Sequence, residues 1–470
     1  MPKMKPVVAI AGASGYIGQN LLSKLSGRMK IIGLSRNGNK HEDTEDVTWR
    51  SCDLFSLRDA EKGLEGADIA VYLVHSMIPS AKLTQGHFAD MDVILADNFA
   101  QAAKKQGVKK IIYLGGIVPK GEEKLSAHLK SRLEVERILR AYGTPVTALR
   151  AGLIVGPKGS SFPILAKLVK RLPVMILPKW TRTRTQPIAL KDVLRSLDKT
   201  VSDEKSVNDS YDLGGPEVLT YREMMEQIAE VLGKKRRMYD VPFFSLYLSR
   251  LWLSLITQTP KETVYPLLYS LKHPLTVQRE EEGISDGKIS FKEAAAYSLR
   301  EADNNKHKLL KKPEIGPLKR DVRSVQRIPL PEGYRAGEVA RYYVQWLENF
   351  LNPWVQTTVD DELNCQIGWI GSKAPLLELT YAPDRSTEDR ALYYISGGFL
   401  TDTSKNERGR LEFRKIPEAN ELIIAIHDYH PSLPWFIYKY TQANVHLFVM
   451  ACFRHHMKQI DKKQKEELPI

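Results

Sequence analysis

Twelve residues near the start constrain this chain more than any others: Val7-Val8-Ala9-Ile10-Ala11-Gly12-Ala13-Ser14-Gly15-Tyr16-Ile17-Gly18. An apolar, β-branched run ends in glycines spaced G-x-x-G-x-x-G, and a helical pattern follows at once. A dinucleotide pyrophosphate needs such a site: a tight turn, bare backbone for close approach, and a helix N-terminus aimed at the phosphates. In this reading Gly12 permits the turn, Gly15 admits the pyrophosphate to the backbone, and Gly18 lets the helix pack on the sheet. Ser14 adds a hydroxyl for a phosphate oxygen, and Tyr16 and Ile17 open the helix beside it. Glycines also make ordinary strand-to-helix turns, so the surrounding pattern decides.

That pattern is β-α-β-α. Strand-like runs at 7–11, 30–35, 47–51, 69–74, 110–114 and 146–150 alternate with helical patterns at 16–25, 57–64, 91–105 and 127–141. They predict an α/β fold with a doubly wound parallel sheet. From 151 to about 300 the pattern is less regular, with helices expected at 162–171, 221–232 and 243–256 as a smaller substrate lobe. A charged, helix-poor stretch at 301–320 reads as a linker, which sets the expected domains at 1–315 and 320–470.

The C-terminal part changes character. A strand at 323–330 and an aromatic-rich helix at 336–351 precede strands at 375–382, 391–400, 409–416 and 421–429. A long, largely apolar helix at 433–458 follows. This order predicts an α+β domain, a curved antiparallel sheet closed by a C-terminal helix around an apolar pocket.

A chain of 470 residues with 43% hydrophobic content suits two folded domains. Its three cysteines, Cys52, Cys365 and Cys452, are far apart and lack C-x-x-C spacing. They exclude a disulfide frame or cysteine-built zinc site and suit a reducing, cytoplasmic compartment. The N-terminus runs straight into the first strand, leaving no room for a signal peptide. Net charge is +13, with basic clusters at 234–237, 306–312 and 458–465. Nucleic acid, an anionic membrane face and a solvated basic surface are the three readings; without a recognition helix or aromatic-interleaved stripe, nucleic acid is not expected. The most apolar windows, 241–256 and 433–453, are each broken by polar residues and read as core, with peripheral membrane contact as the alternative.

Cofactor choice turns on the end of the second strand. An acid there marks NAD, but this chain has Leu34-Ser35-Arg36-Asn37. Arg36 suits the 2′-phosphate of NADP, although a surface arginine at a strand end is the plain alternative. Asp53 either accepts from the adenine amine or caps the helix near residue 57, with Leu54 beside it. His75 closes the fourth strand beside the cofactor's ribose, and Gly115 closes the fifth.

With these segments in view, the chain resembles the atypical, extended short-chain dehydrogenase/reductase superfamily, in its NmrA-like and YbjT-like NAD(P)H-binding subgroup. The resemblance rests on the glycine loop, Tyr72-Leu73-Val74-His75-Ser76-Met77, Ile112-Tyr113-Leu114-Gly115-Gly116 and His128-Leu129-Lys130-Ser131-Arg132-Leu133-Glu134-Val135. It continues through Leu149-Arg150-Ala151-Gly152-Leu153-Ile154-Val155-Gly156 and Gln186-Pro187-Ile188-Ala189, covering residues 1 to about 300. The C-terminal part resembles a helix-grip, START-like domain. The resemblance implies a Rossmann fold, a nicotinamide dinucleotide and a small apolar substrate.

It also exposes a departure. The superfamily's reductases use Tyr-x-x-x-Lys on the helix after the fifth strand, plus a nearby serine; here that helix carries His128-x-x-x-Arg132 and the strand ends in glycines. His128 could donate a proton near neutral pH and Arg132 could hold a ribose, or both serve only helix packing. Two functions follow: an NADP-preferring oxidoreductase, or a non-catalytic NADP(H) sensor or scaffold with a hydrophobic ligand in the C-terminal domain. His427-Asp428-Tyr429-His430 and His455-His456 look like metal or catalytic clusters, but neighbours on a strand face opposite ways. Both read as structural. Lys191-Asp192 reads as a helix start capped by the aspartate.

Overall fold

A strand covered on both faces must be apolar throughout, and β1 (Val7–Ala11) buries every residue after its first. The computed structural model in which it sits describes residues 5–76, 81–121, 124–159, 161–205, 207–241, 265, 268–304, 319–372, 374–404 and 408–467. Two compact units emerge, residues 1–78 with 92–314, and residues 79–91 with 315–470.

In the first unit β1 is joined by β2 (Lys30–Ser35), β3 (Val47–Ser51) and β4 (Ile69–Tyr72). The next strand, β5 (Ala81–Gln85), belongs to the second unit, and β6 (Lys110–Gly116), β7 (Val146–Ala151) and β8 (Asp209–Leu213) complete the seven-stranded sheet of the first. Their order is β8-β7-β6-β4-β1-β2-β3, and every pairing is parallel. Val8, for example, lies opposite both Ile31 and Ile69. Strand order reverses beside β1, where ligands of such sheets bind. The doubly wound sheet is as expected, and β8, with its polar sequence DSYDL, is a strand that apolar periodicity did not reveal.

The connecting helices are α1 (Tyr16–Leu25), α2 (Leu57–Leu64), α3 (Phe88–Lys105) and α4 (Ala127–Arg140). Three more, α5 (Phe162–Arg171), α6 (Leu190–Ser202) and α7 (Tyr221–Val231), lead to α8 (Phe291–Asn304). Helices α5, α7 and α8 share a separate core through Leu165, Met224 and Ala295. α6 instead joins α1 in the core beside the sheet, through Leu21, Val193 and Leu197. The start of α7 shows how local sequence sets an end: Thr220 and Glu223 form a reciprocal capping box. The helix expected at 243–256 lies outside the described residues. The expected linker starts too early, since α8 runs through residue 304 and the next described strand already holds residue 319.

The second unit begins with β9 (Lys319–Pro329) and α9 (Ala336–Leu351). Strands β10 (Val355–Val359), β11 (Cys365–Trp369), β12 (Pro375–Tyr381), β13 (Arg390–Gly397), β14 (Arg410–Lys415) and β15 (Glu421–Tyr429) follow. Their sheet runs β10-β11-β12-β13-β14-β15-β9-β5. It is mixed rather than antiparallel, because β5 adds to β9 in parallel. The β10–β11 hairpin was also unforeseen; QTTV and QIGW are short, polar-interrupted runs.

The 433–458 helix is two helices, α10 (Trp435–Tyr440) and α11 (Gln442–Glu467), because Thr441 (φ −118°, ψ −87°) leaves helical geometry. Tyr343 of α9 meets Phe453 of α11 and Phe413 of β14 at 4.9 and 5.8 Å between ring centroids. The centre of this unit's core is therefore aromatic. The window 433–453 buries only one side, contrary to the core reading: Phe436, Ile437, Tyr440, Val445 and Phe448 are exposed. Among the described residues, no helix is long and apolar enough to cross a membrane.

Candidate active site in the first unit

Gly12 adopts φ +86°, and a Cβ there would press on the Leu73 backbone at 3.3 Å. A Cβ on Gly18 would fall 2.3 Å from the Gly12 carbonyl oxygen and 2.7 Å from Ala13 Cα. Both positions need glycine for opposite reasons, a left-handed turn and a close helix approach. The Gly15 N–H donates to the Gly12 carbonyl at 2.9 Å and starts α1. No side chain caps that helix and its first turn holds no acid, so its free N–H groups suit an anion. The Ser14 and Ser35 hydroxyls lie 3.2 Å apart at the same strand ends. Tyr16 begins α1 with its phenol pushed up to about 12 by burial. Ile17 packs against the sheet-side core.

Arg36 is exposed and makes no ion pair or side-chain hydrogen bond among the described residues. Asp53 does not cap α2: Ser56 does, accepting from the Asp59 N–H at 3.2 Å, while Asp53 accepts from the Phe55 N–H at 3.2 Å. Leu54 is buried, and its carbonyl accepts from Asn98 at 2.8 Å. At Gly115 a Cβ would lie 2.7 Å from the Tyr113 ring.

The fourth strand ends at Tyr72, which leaves His75 in the loop beyond it, and there an unforeseen residue organises the site. Asp92 of α3 is 1% exposed. Its Oδ1 accepts from the Ser76 N–H (2.9 Å) and hydroxyl (2.8 Å). Its Oδ2 accepts from His75 Nδ1 (3.0 Å), the Ser131 hydroxyl (3.0 Å) and the Arg132 guanidinium (2.5 Å). Five donors saturate one carboxylate. Burial alone would raise the acid's pKa, but Arg132 and His75, with the Ser76 bonds, hold it well below the usual carboxylate range. Asp92 is therefore ionised and can only accept, so His75 carries its proton on Nδ1 and keeps the lone pair on Nε2.

His128 sits against His75, with ring centroids 5.1 Å apart. Burial, then the neighbouring His75 and Arg132, push its pKa down to about 3. His75 is lowered too, first by burial and then by Arg132, against the pull of Asp92. At neutral pH the site holds two neutral imidazoles over a fixed Asp92–Arg132 ion pair.

Helix α4 delivers this arrangement. His128, Arg132, Glu136 and Arg140 recur every fourth residue and so share one face. Glu136 binds Arg150 of β7 through two bonds of 2.8 Å and accepts from Ser210 of β8 at 2.6 Å. Ser126 caps the helix start by accepting from the Leu129 N–H. Spacing revealed the His128–Arg132 half of the site. It concealed Asp92, because a helix expected to start at 91 places that acid in its first turn, where acids are routine. The observed start at Phe88 moves it inward.

Gly156 abuts Tyr16: a Cβ there would be 2.7 Å from the phenol oxygen. A cavity of about 360 Å³ opens beside them, lined also by Lys158, Lys191 and Arg300. Trp180 is buried in the lobe core, while Arg182 pairs with Asp240 at 3.0 Å. Asp192 does not cap α6; it accepts from the Lys288 and Ile289 N–H groups, both at 3.0 Å.

In the second unit Asp428 (φ +52°) sits at a register shift between β9 and β15, so the strand bulges there. The bulge breaks the expected alternation, and Asp428 pairs with Arg410 at 2.6 Å. His456 lies 2.5 Å from the Tyr342 hydroxyl and stacks on its ring.

Residues 12–167 match the model of a family described as NAD(P)H-binding. The auxiliary protein GraX of Staphylococcus aureus is 37% identical over 146 residues, 30% of this chain and 43% of that protein. The mitochondrial 40 kDa subunit of NADH-ubiquinone oxidoreductase from Neurospora crassa is 22% identical over 242 residues, 50% of this chain and 62% of that protein. The chain thus spans less than two thirds of either relative. A solved nucleoside-diphosphate-sugar epimerase from Staphylococcus aureus shares the fold at 18% identity and a TM-score of 0.50. That match covers 62% of this chain and 99% of the epimerase. These likenesses support a Rossmann-like fold and the binding of a nicotinamide dinucleotide.

Proposed function

We propose that the first unit binds a nicotinamide dinucleotide over the Gly12–Gly18 loop, prefers NADP through Arg36, and acts as an oxidoreductase on a small substrate. The observation that carries this reading is the imidazole pair His75–His128 beyond the end of the fourth strand, with His75 bonded to Asp92 and Asp92 paired with Arg132. Bound, the cofactor supplies the hydride donor or acceptor. His75, with Nδ1–H fixed on Asp92, presents Nε2 to hold or take a proton, the role the superfamily gives to tyrosine. Arg132 is a positioning residue: it keeps Asp92 ionised, and Asp92 keeps the His75 tautomer.

Calorimetric titration with NADPH and NADH tests the cofactor half. NADPH should bind more tightly, and Arg36→Ala should weaken NADPH about tenfold or more while sparing NADH. Equal affinities in the wild type would remove the preference. For the chemical half, NADPH oxidation over carbonyls and quinones and NADP reduction over alcohols should show turnover. His75→Ala should lower kcat by about 100-fold or more with cofactor affinity unchanged.

A second reading, NADP(H) sensing without turnover, is favoured by one observation. The Arg132 guanidinium is engaged by Asp92, where the superfamily's lysine holds a ribose. Tight NADPH binding with no turnover across both panels would select it.

A further inference from the structure

The second unit presents large apolar side chains to solvent along one connected stretch. Phe436 and Tyr440 of α10 are exposed, with Phe436 74% accessible and its ring 5.0 Å from that of Tyr440. Val445 and Phe448 continue the surface on α11. The Phe448 ring lies 6.3 Å from Phe350 at the end of α9, and Trp354, 69% accessible, occupies the turn just beyond. Large apolar side chains exposed this densely along residues 436–448 mark an interaction surface, whereas scattered single residues would not.

The charge around it names the partner. From residue 429 to residue 460 the chain has no aspartate or glutamate, yet carries Lys439, Arg454 and Lys458. Down the outward side of α11, Val445, Phe448, Ala451, His455 and Lys458 follow one another at helical spacing, and all are exposed. The stripe therefore passes from apolar to basic with no acid within it. The Lys439 ammonium lies 5.3 Å from the Tyr440 ring, leaving its charge at the border of the apolar surface. Just past the stripe, Asp461 is paired with Lys465 at 2.7 Å. A second copy docking on this face by two-fold symmetry would set basic residues against each other with no acid to pair them. An anionic bilayer answers both properties, since aromatic rings settle at headgroup depth and lysines meet the lipid phosphates.

We infer that this face docks the protein peripherally on an anionic lipid surface, through Phe436, Tyr440, Val445 and Phe448 with Lys439 and Lys458 beside them. The inference is independent of the cofactor reading. The full chain is mixed with vesicles of phosphatidylcholine alone, or of phosphatidylcholine with phosphatidylglycerol, and recovered by flotation. Co-flotation with the anionic vesicles only is expected, weakening as salt rises. Phe436→Ser/Phe448→Ser and, separately, Lys439→Glu/Lys458→Glu should each weaken it about tenfold or more. All four side chains are exposed, so melting temperature and near-ultraviolet circular dichroism should match the wild type. No flotation by the folded wild type, or unchanged flotation of both variants, overturns the inference. So does a dimer seen by light scattering that Phe436→Ser/Phe448→Ser abolishes while wild-type vesicle binding is absent.

Discussion

Asp92 shows how much one side chain can organise. It is the shared acceptor of His75, Ser76, Ser131 and Arg132, so Asp92→Asn leaves a buried guanidinium unpaired. Loss of one partner from a buried pair costs about 3–5 kcal/mol, and chemical denaturation should show a fall of that size. Acid should act through the same cluster. His128 is held neutral in the folded state, with its pKa pushed down to about 3, so its contribution is complete above the ordinary histidine pKa. That contribution is lost as pH falls from about 6.5 toward 3, because the unfolded chain takes up the proton first. His128→Asn should flatten the pH dependence of unfolding free energy in that window by at most about 1.4 kcal/mol per pH unit, read from denaturation curves at several pH values. The imidazole and guanidinium were legible four residues apart on one helix. Their carboxylate partner was not, since it lies 40 positions away in the chain and looks like an ordinary first-turn acid.

At the scale of elements, continuous apolar strands declared themselves where both faces met protein, and amphipathic helices where one face did. Short pieces that rely on pairing did not. β5 is the clearest case: AKLTQ has little pattern of its own, yet it forms an edge strand on β9 and its Gln85 side chain donates to the Ala443 carbonyl at 3.0 Å. The chain leaves this strand through Gly86, where a Cβ would fall 2.5 Å from the Val325 carbonyl oxygen. Gly86→Ala must therefore push β5 from β9. A melting-temperature drop corresponding to about 1–3 kcal/mol is expected, with hydrogen exchange quickened in β5 and β9. The bulge at Asp428 likewise depends on what β9 offers opposite it.

For the whole molecule, the division into units is not a single cut in the sequence. Residues 79–91 belong with 315–470, and Asp90 in that inserted segment pairs with Arg327 of β9 at 2.7 Å. A chain starting at residue 315 would lack β5, leave the edge of β9 open and hold Arg327 by Glu421 without Asp90. It should melt lower than the second unit of the full chain and associate through the bare edge, as thermal unfolding and size-exclusion chromatography would reveal.

The sequence by itself determined the parallel sheet, the glycine turn under its first helix and the helical spacing of His128 and Arg132. Each of these is local, set by side-chain period and backbone freedom within a few residues. Tertiary structure alone decided that Asp92 joins them, that a strand from the first third of the chain completes the second sheet, and that one side of the last helices stays uncovered. Those outcomes depend on which distant segments meet, and burial and pairing are properties of that meeting.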